Sequence, residues 1–250
     1  MKINKLPLIF VDHWSPMRIL WEKLHNKVKW VLIISAHYER NWNSITVSDN
    51  LETIYDFYWF PNELYQMNYN VKTDKGLIDS LKDKFNWSLV LDKEYWIDHW
   101  WWSVLKKMFP NADKKVVLLS VNALFSNSEI FNIWNQIKNL REEWYLIIWS
   151  WNILHNFSEL DFYNENKVDN WALELNESIK KKILNNDFDD LIKFENMKNS
   201  NKAFKSSEHY KPLLYILWAV WNEKIEYLSD EITNWSLSNN LILFWDLDNN

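Results

Sequence analysis

The stretch WVLIISAH, residues 30–37, joins an unbroken apolar run to a histidine. Runs of this kind, rich in Val, Ile and Leu, are typical of strands that are buried on both faces of a sheet. Three more runs of the same type occur at Leu6–Val11, Val116–Ser120 and Tyr145–Trp149. Together these four runs predict the central strands of one sheet.

Helical patterns separate these strands along the chain. Asp74 is a predicted N-cap, and Ser15-Pro16 has the sequence of a helix start. Helices are predicted over Ser15–His25, Leu77–Phe85, Trp101–Phe109, Asn127–Glu143, Trp171–Leu184 and Leu213–Val220, and edge strands over Ser44–Val47, Ser88–Leu91 and Leu241–Phe244. Because strands alternate with helices, we expect an α/β fold. It is a single domain over residues 1–250, with a mostly parallel central sheet and helices on both faces.

The overall composition excludes several classes of protein. The chain of 250 residues has no cysteine, which excludes disulfides and thiolate metal sites. A net charge of −6 argues against a nucleic-acid partner. Leu6–Val11 is among the longest apolar runs and is too short to cross a membrane. We therefore expect a cytoplasmic protein with neither a nucleic-acid nor a membrane partner.

The glycine and tryptophan counts are abnormal. The chain has one glycine, Gly76, and 19 tryptophans, whereas average usage predicts about 17 glycines. Turns and helix ends need positive φ angles, which a Cβ makes costly. Lysine strongly outnumbers arginine, which is typical of an AT-rich genome. We hypothesise that many of the tryptophans correspond to UGA codons that the source organism reads as glycine.

Five of the six histidines lie where a binding site is expected. His13, His37 and His155 each follow a predicted strand, and the carboxyl ends of parallel strands form the edge at which α/β proteins bind ligands. His99 and His209 precede helices, where functional groups are commonly displayed. A histidine at a strand end can equally be a capping residue. As a set, they predict a metal site at this edge, and the absence of cysteine favours catalytic iron or zinc over a structural metal.

Two acidic residues directly precede histidines of this set. Asp12 precedes His13, and Asp98 precedes His99. Carboxylates that accept a hydrogen bond from a ring nitrogen orient metal-binding imidazoles. Neighbours in sequence often point in different directions, so this role and a purely local one both stay open.

Short motifs of the chain carry a resemblance to a known family. They are VDHWSPM (residues 11–17), SAHY (35–38), DFYWFPNELY (56–65), DHWWW (98–102), WSWNILHN (149–156), EHYKPLLY (208–215) and WSLS (235–238). With glycine at some of the tryptophans, the motifs resemble, in order and over almost the whole chain, those of the class III extradiol ring-cleavage dioxygenases. The resemblance is to the DOPA-dioxygenase type of the LigB superfamily.

The same resemblance divides the tryptophans into two groups. The positions that match family glycines are Trp14, Trp59, Trp100, Trp149, Trp151, Trp218 and Trp235. Trp102 and Trp171 match family tryptophans. We expect glycine at residues 14, 100, 149 and 151 to permit tight turns beside the site.

The resemblance implies a site for one divalent metal, Fe(II) in the active enzyme, with Zn(II) also able to occupy it. The implied ligands are His13, His37 and His209, and His155 is a fourth ligand when zinc is bound. Other branches of the superfamily supply a carboxylate as the third ligand. Here that residue would be Glu208, so Glu208 and His209 remain alternatives.

The resemblance also implies the chemistry. The enzyme inserts O2 into a catechol-type ring beside a hydroxyl-bearing carbon and gives a ring-opened semialdehyde. His155 is then the acid/base residue, and His99 donates a hydrogen bond to the reacting oxygen. Tyr38, Phe57, Phe60 and Tyr210 either line an aromatic pocket or pack in the core. A monomer or a homodimer is implied.

Two alternatives to this enzyme remain. One is a metal-binding member of the same superfamily that has lost catalysis, although the retained histidine set favours an enzyme. The other is a zinc hydrolase of unrelated origin, which the ordered motifs disfavour.

Overall fold

A computed structural model describes residues 5–6, 8–11, 25–58, 61–86, 88–150, 152–159, 167–203, 210–217 and 223–246. Its strands are β1 Leu8–Val11, β2 Trp30–Arg40, β3 Ser44–Thr46, β4 Asn50–Leu51, β5 Val71–Lys72, β6 Val90–Asp92, β7 Lys115–Asn122, β8 Tyr145–Ser150, β9 Glu223–Thr233 and β10 Leu237–Asp246. Eight of them form one sheet in the order β6-β3-β7-β2-β8-β1-β10-β9, and β4 pairs with β5 separately.

The centre of the large sheet is parallel. Strands β7, β2, β8 and β1 run in the same direction, with Ile33 of β2 lying between Leu118 of β7 and Ile148 of β8. Antiparallel pairing occurs where β10 joins β1, where β9 joins β10, and where β3 joins β7. The four predicted central strands are therefore confirmed as neighbours, and their carboxyl ends lie at one edge of the sheet.

The helices of the described chain are α1 Lys75–Lys84, α2 His99–Met108, α3 Asn127–Ile137, α4 Asn170–Asn185, α5 Phe188–Ile192, α6 Ser200–Ala203 and α7 Lys211–Leu217. The predicted cap of α1 is confirmed, because the Asp74 carboxylate accepts a hydrogen bond from the Leu77 backbone N–H at 2.8 Å. The predicted helix to Glu143 is too long, since α3 gives way to a 3₁₀ turn over Lys138–Arg141. Of the predicted helix Ser15–His25, all but the last residue lies outside the described residues.

Alternating side chains of the central strands build two cores. In β2, Leu32 and Ile34 pack with α1, α3, α4 and α7, whereas Val31 and Ile33 pack with α2. Successive residues of a strand point to opposite faces. The prediction of helices on both faces of a mostly parallel sheet is thus confirmed.

The long hairpin of β9 and β10 is only partly predicted. Leu241–Phe244 lies within β10, but β9 was missed. Strand β9 is an edge strand whose residues are half-buried or exposed, so it has no unbroken apolar run. Its sequence therefore lacks the signal of the buried strands.

Some tryptophans occupy backbone conformations that favour glycine. Trp144 and Trp235 have φ angles of 69° and 75°, in the left-handed region. Trp235 matches a family glycine, and Trp144 lies outside the motifs. Trp100 and Trp149 lie in α2 and β8 without positive φ, so the expectation of a glycine-dependent turn is wrong at these two positions. Residues 14 and 151 lie outside the described residues.

No helix within the described ranges is long and apolar enough to cross a membrane.

Candidate metal and acid–base site

The carboxyl end of β2 carries the first histidine of the site. His37 lies within β2, which continues to Arg40, and not after it as the sequence predicts. The pairing of β2 with β7 shifts register between Ser35 and Glu39. Irregularities of this kind redirect side chains and are frequent next to active sites. The longer strand was missed because Ser35 and His37 end the apolar run that defines it.

One carboxylate joins two histidines at this edge. The Asp56 side chain accepts a hydrogen bond from Nδ1–H of His37 at 3.1 Å through Oδ2. Its Oδ1 accepts from Nδ1–H of His99 at 2.7 Å and from the His99 backbone N–H at 2.9 Å. The centres of the two imidazole rings are 5.0 Å apart. Strand β2, the loop after β4 and the first residue of α2 thus meet in one cluster, whose donor atoms lie within 4.8 Å of one another.

The ionisation of this cluster follows from its hydrogen bonds. Burial opposes a charge on His37, but the hydrogen bond to Asp56 and the charges of Asp98 and Asp56 prevail and raise the pKa of His37. Burial likewise opposes the charge on Asp56, yet hydrogen bonds from His37 and His99 hold the pKa of Asp56 well below its usual range. Asp56 is therefore a carboxylate at neutral pH, and both ring Nδ1 atoms donate to it.

Asp98 has a different role from the one its sequence position suggests. It is fully buried, and it caps α2 by accepting from the Trp101 backbone N–H at 3.2 Å. Its Oδ2 accepts from the hydroxyls of Ser35 and Tyr95 at 2.8 and 3.0 Å. Its Oδ1 lies 3.7 Å from Nδ1 of His37. The carboxylate that contacts His99 is Asp56, and Asp98 adds negative charge beside His37. Asp12 lies outside the described residues.

His155 lies at the same edge of the sheet, after the end of β8. His155 is buried, and its backbone N–H donates to the Ala203 carbonyl at 3.0 Å. The preceding Leu154 backbone N–H donates to Oγ of Ser238 at 2.7 Å, which ties this loop to β10. Strand β8 pairs in parallel with β2 up to Trp149 and Ile34, so the loop of His155 leaves the sheet at the edge where β2 ends. His155 is not part of the cluster formed by His37, Asp56 and His99.

The remaining predicted ligands, His13, His209 and Glu208, lie outside the described residues. Their assignment as metal ligands, and that of His37 and His155, stays a prediction.

Aromatic side chains flank the cluster on one side. Phe57 contacts the His99 ring edge-on with centres 5.3 Å apart, and Tyr65 packs on Phe57 at 4.9 Å. Tyr38 and Tyr210 are fully buried, and their hydroxyls donate to Asp92 and to the Leu191 carbonyl. These two tyrosines therefore belong to the core. Phe60 lies outside the described residues.

Asp56 is the residue of this cluster that sequence reasoning missed. It lies in the motif DFYWFPNELY, but 19 and 43 positions separate it from His37 and His99. Only the folding of the loop after β4 against the start of α2 brings the three residues together. Its position as the first residue of a recognised motif was the available signal.

Comparison with known proteins identifies the family. Residues 13–241 match the family described as the catalytic LigB subunit of aromatic ring-opening dioxygenase. The chain belongs to this family.

Several relatives carry the name 4,5-DOPA dioxygenase extradiol. The chain is 28% identical over 236 residues to the 4,5-DOPA dioxygenase extradiol of Escherichia coli K12, covering 88% of this chain and 87% of the relative. It is 29% identical over 217 residues to the protein of the same name from Beta vulgaris, covering 83% and 81%. A crystal structure of an uncharacterized protein from Escherichia coli K12 superposes with a TM-score of 0.81 at 24% identity, covering 96% and 99% of the two chains. This last likeness concerns the fold alone.

Proposed function

We propose that the protein is a non-haem, Fe(II)-dependent extradiol dioxygenase that opens a catechol-type ring with O2. The observation that carries the proposal is the His37–Asp56–His99 cluster at the carboxyl edge of the sheet, in a chain of the LigB family. The related 4,5-DOPA dioxygenases suggest a 4,5-extradiol cleavage of a DOPA-like catechol. The reaction adds both atoms of one O2 molecule to the ring and needs no external reductant.

The donor set fits a divalent iron or zinc ion. Because Nδ1–H of His37 is donated to Asp56, the lone pair of the neutral ring is carried by Nε2, the usual ligand atom of a histidine. His13 and His209 would complete the inner ligands, with His155 or Glu208 as the further candidates. Imidazole and carboxylate ligands without thiolate suit non-haem Fe(II). When bound, Fe(II) would be chelated by the two catechol oxygens, would lower the pKa values of the catechol hydroxyl groups and would supply the redox chemistry with O2.

Protein side chains would accept and donate the protons of the reaction. His155, a buried imidazole beside the end of β8, is suited to take the second proton of the catechol and to return it later to the opening ring. His99 is held through Nδ1–H by Asp56, so its Nε2 would face the reaction. After taking up a proton at Nε2, the ring would donate that N–H to negative charge developing on oxygen. Phe57 packs edge-on against the His99 ring and covers one side of it.

Reconstitution tests the proposal. The full chain is prepared anaerobically, both as printed and with glycine at residues 14, 59, 100, 149, 151, 218 and 235, and is loaded with Fe(II). A panel of catechols that includes DOPA is then added with ¹⁸O-labelled O2. We expect O2 uptake equal to the catechol consumed, a yellow ring-opened product and two labelled oxygen atoms in it.

The Zn(II)-loaded chain is the matched control. It should bind a catechol without O2 uptake, because zinc has no redox chemistry. Fe(II) binding without O2 uptake across the whole panel would contradict the proposal and identify a metal-binding family member without catalysis.

A further inference from the structure

We infer that Asp56 is the positioning residue of this site. One carboxylate fixes the ring orientation and the tautomer of both His37 and His99, so that each ring presents Nε2 to the reaction. The inference rests on the proposed function for the identity of the metal and substrate, but its geometry and its first test do not depend on them.

The hydrogen bonds of Asp56 carry this inference. An ionised carboxylate only accepts hydrogen bonds, so an imidazole nitrogen at 3.1 or 2.7 Å from it must carry a proton. In a neutral imidazole the other nitrogen, Nε2, then holds the lone pair. The two oxygens of Asp56 are divided between the two rings, with Oδ2 serving His37 and Oδ1 serving His99. A single side chain therefore sets both tautomers.

The backbone of α2 fixes the carboxylate itself. Oδ1 of Asp56 also accepts the His99 backbone N–H at 2.9 Å, at the first residue of the helix. Helix starts leave such N–H groups in need of an acceptor, and Asp98 accepts the Trp101 N–H two residues further along the helix. The side chain of Asp56 is thus anchored to rigid backbone and does not depend on the histidines alone for its position.

Asp98 does not replace Asp56 in this role. Its Oδ1 lies 3.7 Å from Nδ1 of His37, beyond hydrogen-bond distance, against 3.1 Å for Asp56. The same oxygen accepts the Trp101 backbone N–H, and Oδ2 accepts two hydroxyls. Asp98 adds negative charge near His37, while Asp56 fixes the orientation of the His37 ring.

A metal held directly by His37, Asp56 and His99 is the competing interpretation of the same cluster. Two neighbouring ligand atoms, each about 2.1 Å from the metal, lie about 3.4 Å apart on tetrahedral zinc and about 3.0 Å apart on octahedral iron. Oδ1 of Asp56 and Nδ1 of His99 are 2.7 Å apart, which is the distance of a charge-assisted hydrogen bond. The contact is therefore a hydrogen bond, and a metal held by His37 would bind its Nε2.

The substitution Asp56→Asn tests whether Asp56 positions the two imidazole rings or only fills space beside them. Asparagine keeps the shape but has one oxygen and one NH2 group. The oxygen stays with the two N–H groups of His99, so the NH2 group takes the place of Oδ2 and faces Nδ1 of His37. Nδ1 of His37 must then accept, and its proton moves to Nε2, the atom required by the metal. Asp92→Asn is the matched control, because it makes the same chemical change at an aspartate that accepts hydrogen bonds from Tyr38, Arg40 and two backbone N–H groups and from no histidine of the described chain.

The first readout is the ¹⁵N spectrum of the histidine rings in the metal-free full chain, with His37→Gln and His99→Gln used to assign the two rings. The spectra are recorded at a pH at which the rings are neutral. We then expect both rings as Nδ1–H tautomers in the parent and in Asp92→Asn, and His37 as the Nε2–H tautomer in Asp56→Asn. The second readout is Zn(II) affinity by competition with a chromophoric chelator. We expect it to be 10–100-fold weaker in Asp56→Asn and unchanged in Asp92→Asn.

Three results would overturn the inference. The first is that the parent shows Nε2–H tautomers. The second is that Asp56→Asn changes neither the tautomers nor the Zn(II) affinity. The third is that the parent binds two Zn(II) ions and that Asp56→Asn loses one of them. The last would assign the three residues to a metal site of their own. A parent that shows the expected tautomers and Zn(II) affinity but consumes no O2 with Fe(II) would count against the proposed function alone.

Discussion

Arg141 and Glu223 form a buried two-pronged ion pair, with Nη1 to Oε1 at 2.5 Å and Nη2 to Oε2 at 3.1 Å. Their side chains are 2% and 5% exposed. Nε of Arg141 also donates to the Leu6 carbonyl at 2.7 Å. The pair therefore joins the 3₁₀ turn before β8 to the segment before β1 and to the start of β9.

Removing one partner of this pair should strongly destabilise the fold. Glu223→Ala leaves the Arg141 charge buried without its carboxylate, and such changes cost about 3–5 kcal/mol. Urea unfolding of the metal-free chain measures the loss. Lys198→Ala removes an exposed pair with Glu174, whose side chains are 80% and 55% exposed, and should change stability by less than about 0.5 kcal/mol. Equal effects of the two substitutions would contradict the structure.

Asp92 should make stability depend on pH. Burial opposes its charge, but hydrogen bonds from the Glu94 and Tyr95 backbones, the Tyr38 hydroxyl and Arg40 lower the pKa of Asp92. A carboxyl group with a lowered folded pKa stabilises the fold above its unfolded pKa of about 3.9. That contribution is lost as the pH falls through the folded pKa.

The substitution Asp92→Asn measures this contribution. We expect it to cost about 1–3 kcal/mol at pH 7 and less at pH 3, which is below the unfolded pKa of about 3.9, because protonation of the carboxyl group in the unfolded chain has then begun to remove its contribution. Urea unfolding of both chains between pH 3 and pH 7 checks the difference. A constant gap across this range would contradict the assignment.

The sequence predicts the centre of this fold well and its periphery poorly. The apolar runs around Leu32 and Ile147 must be buried between helices, and this signal predicts β2 and β8 as neighbouring central strands. Strand β9 is half-exposed, and its pairing with β10 depends on the tertiary structure. The site is subject to the same limit on prediction from sequence. Asp56 lies 19 positions after His37 and 43 positions before His99, and only the fold brings the three residues together.

His37 and His99 should fail in different ways when substituted. His37→Gln removes a predicted ligand, and we expect it to lower the affinity for Zn(II) by at least 10-fold and to abolish O2 uptake. His99→Gln removes only the group that faces oxygen. It should keep Zn(II) affinity within about threefold, while kcat falls about 10²–10⁴-fold. Chelator competition and an oxygen electrode measure the two quantities. Loss of Zn(II) binding in His99→Gln would contradict this division of roles.

Replacing the tryptophans at positive φ with glycine should stabilise the fold. Trp235 combines a φ of 75° with a buried indole N–H that has no hydrogen-bond partner within the described part of the chain, and Trp144 has a φ of 69°. The left-handed conformation costs a residue with a Cβ about 1–2 kcal/mol, and a buried donor without an acceptor adds to this cost at Trp235. Trp144→Gly and Trp235→Gly are therefore expected to raise the free energy of unfolding by about 1 kcal/mol or more each.

The matched controls are tryptophans whose indole groups are satisfied. Trp102 donates from Nε1 to the Ile54 carbonyl at 3.1 Å, and Trp171 donates to Asp169 at 3.1 Å. Trp102→Gly should cost more than about 3 kcal/mol, because it empties a buried site. The codons supply a second, independent check. UGA at residues 144 and 235 with UGG at 102 and 171 is expected if the source organism reads UGA as glycine, and UGG at all four positions would contradict the hypothesis.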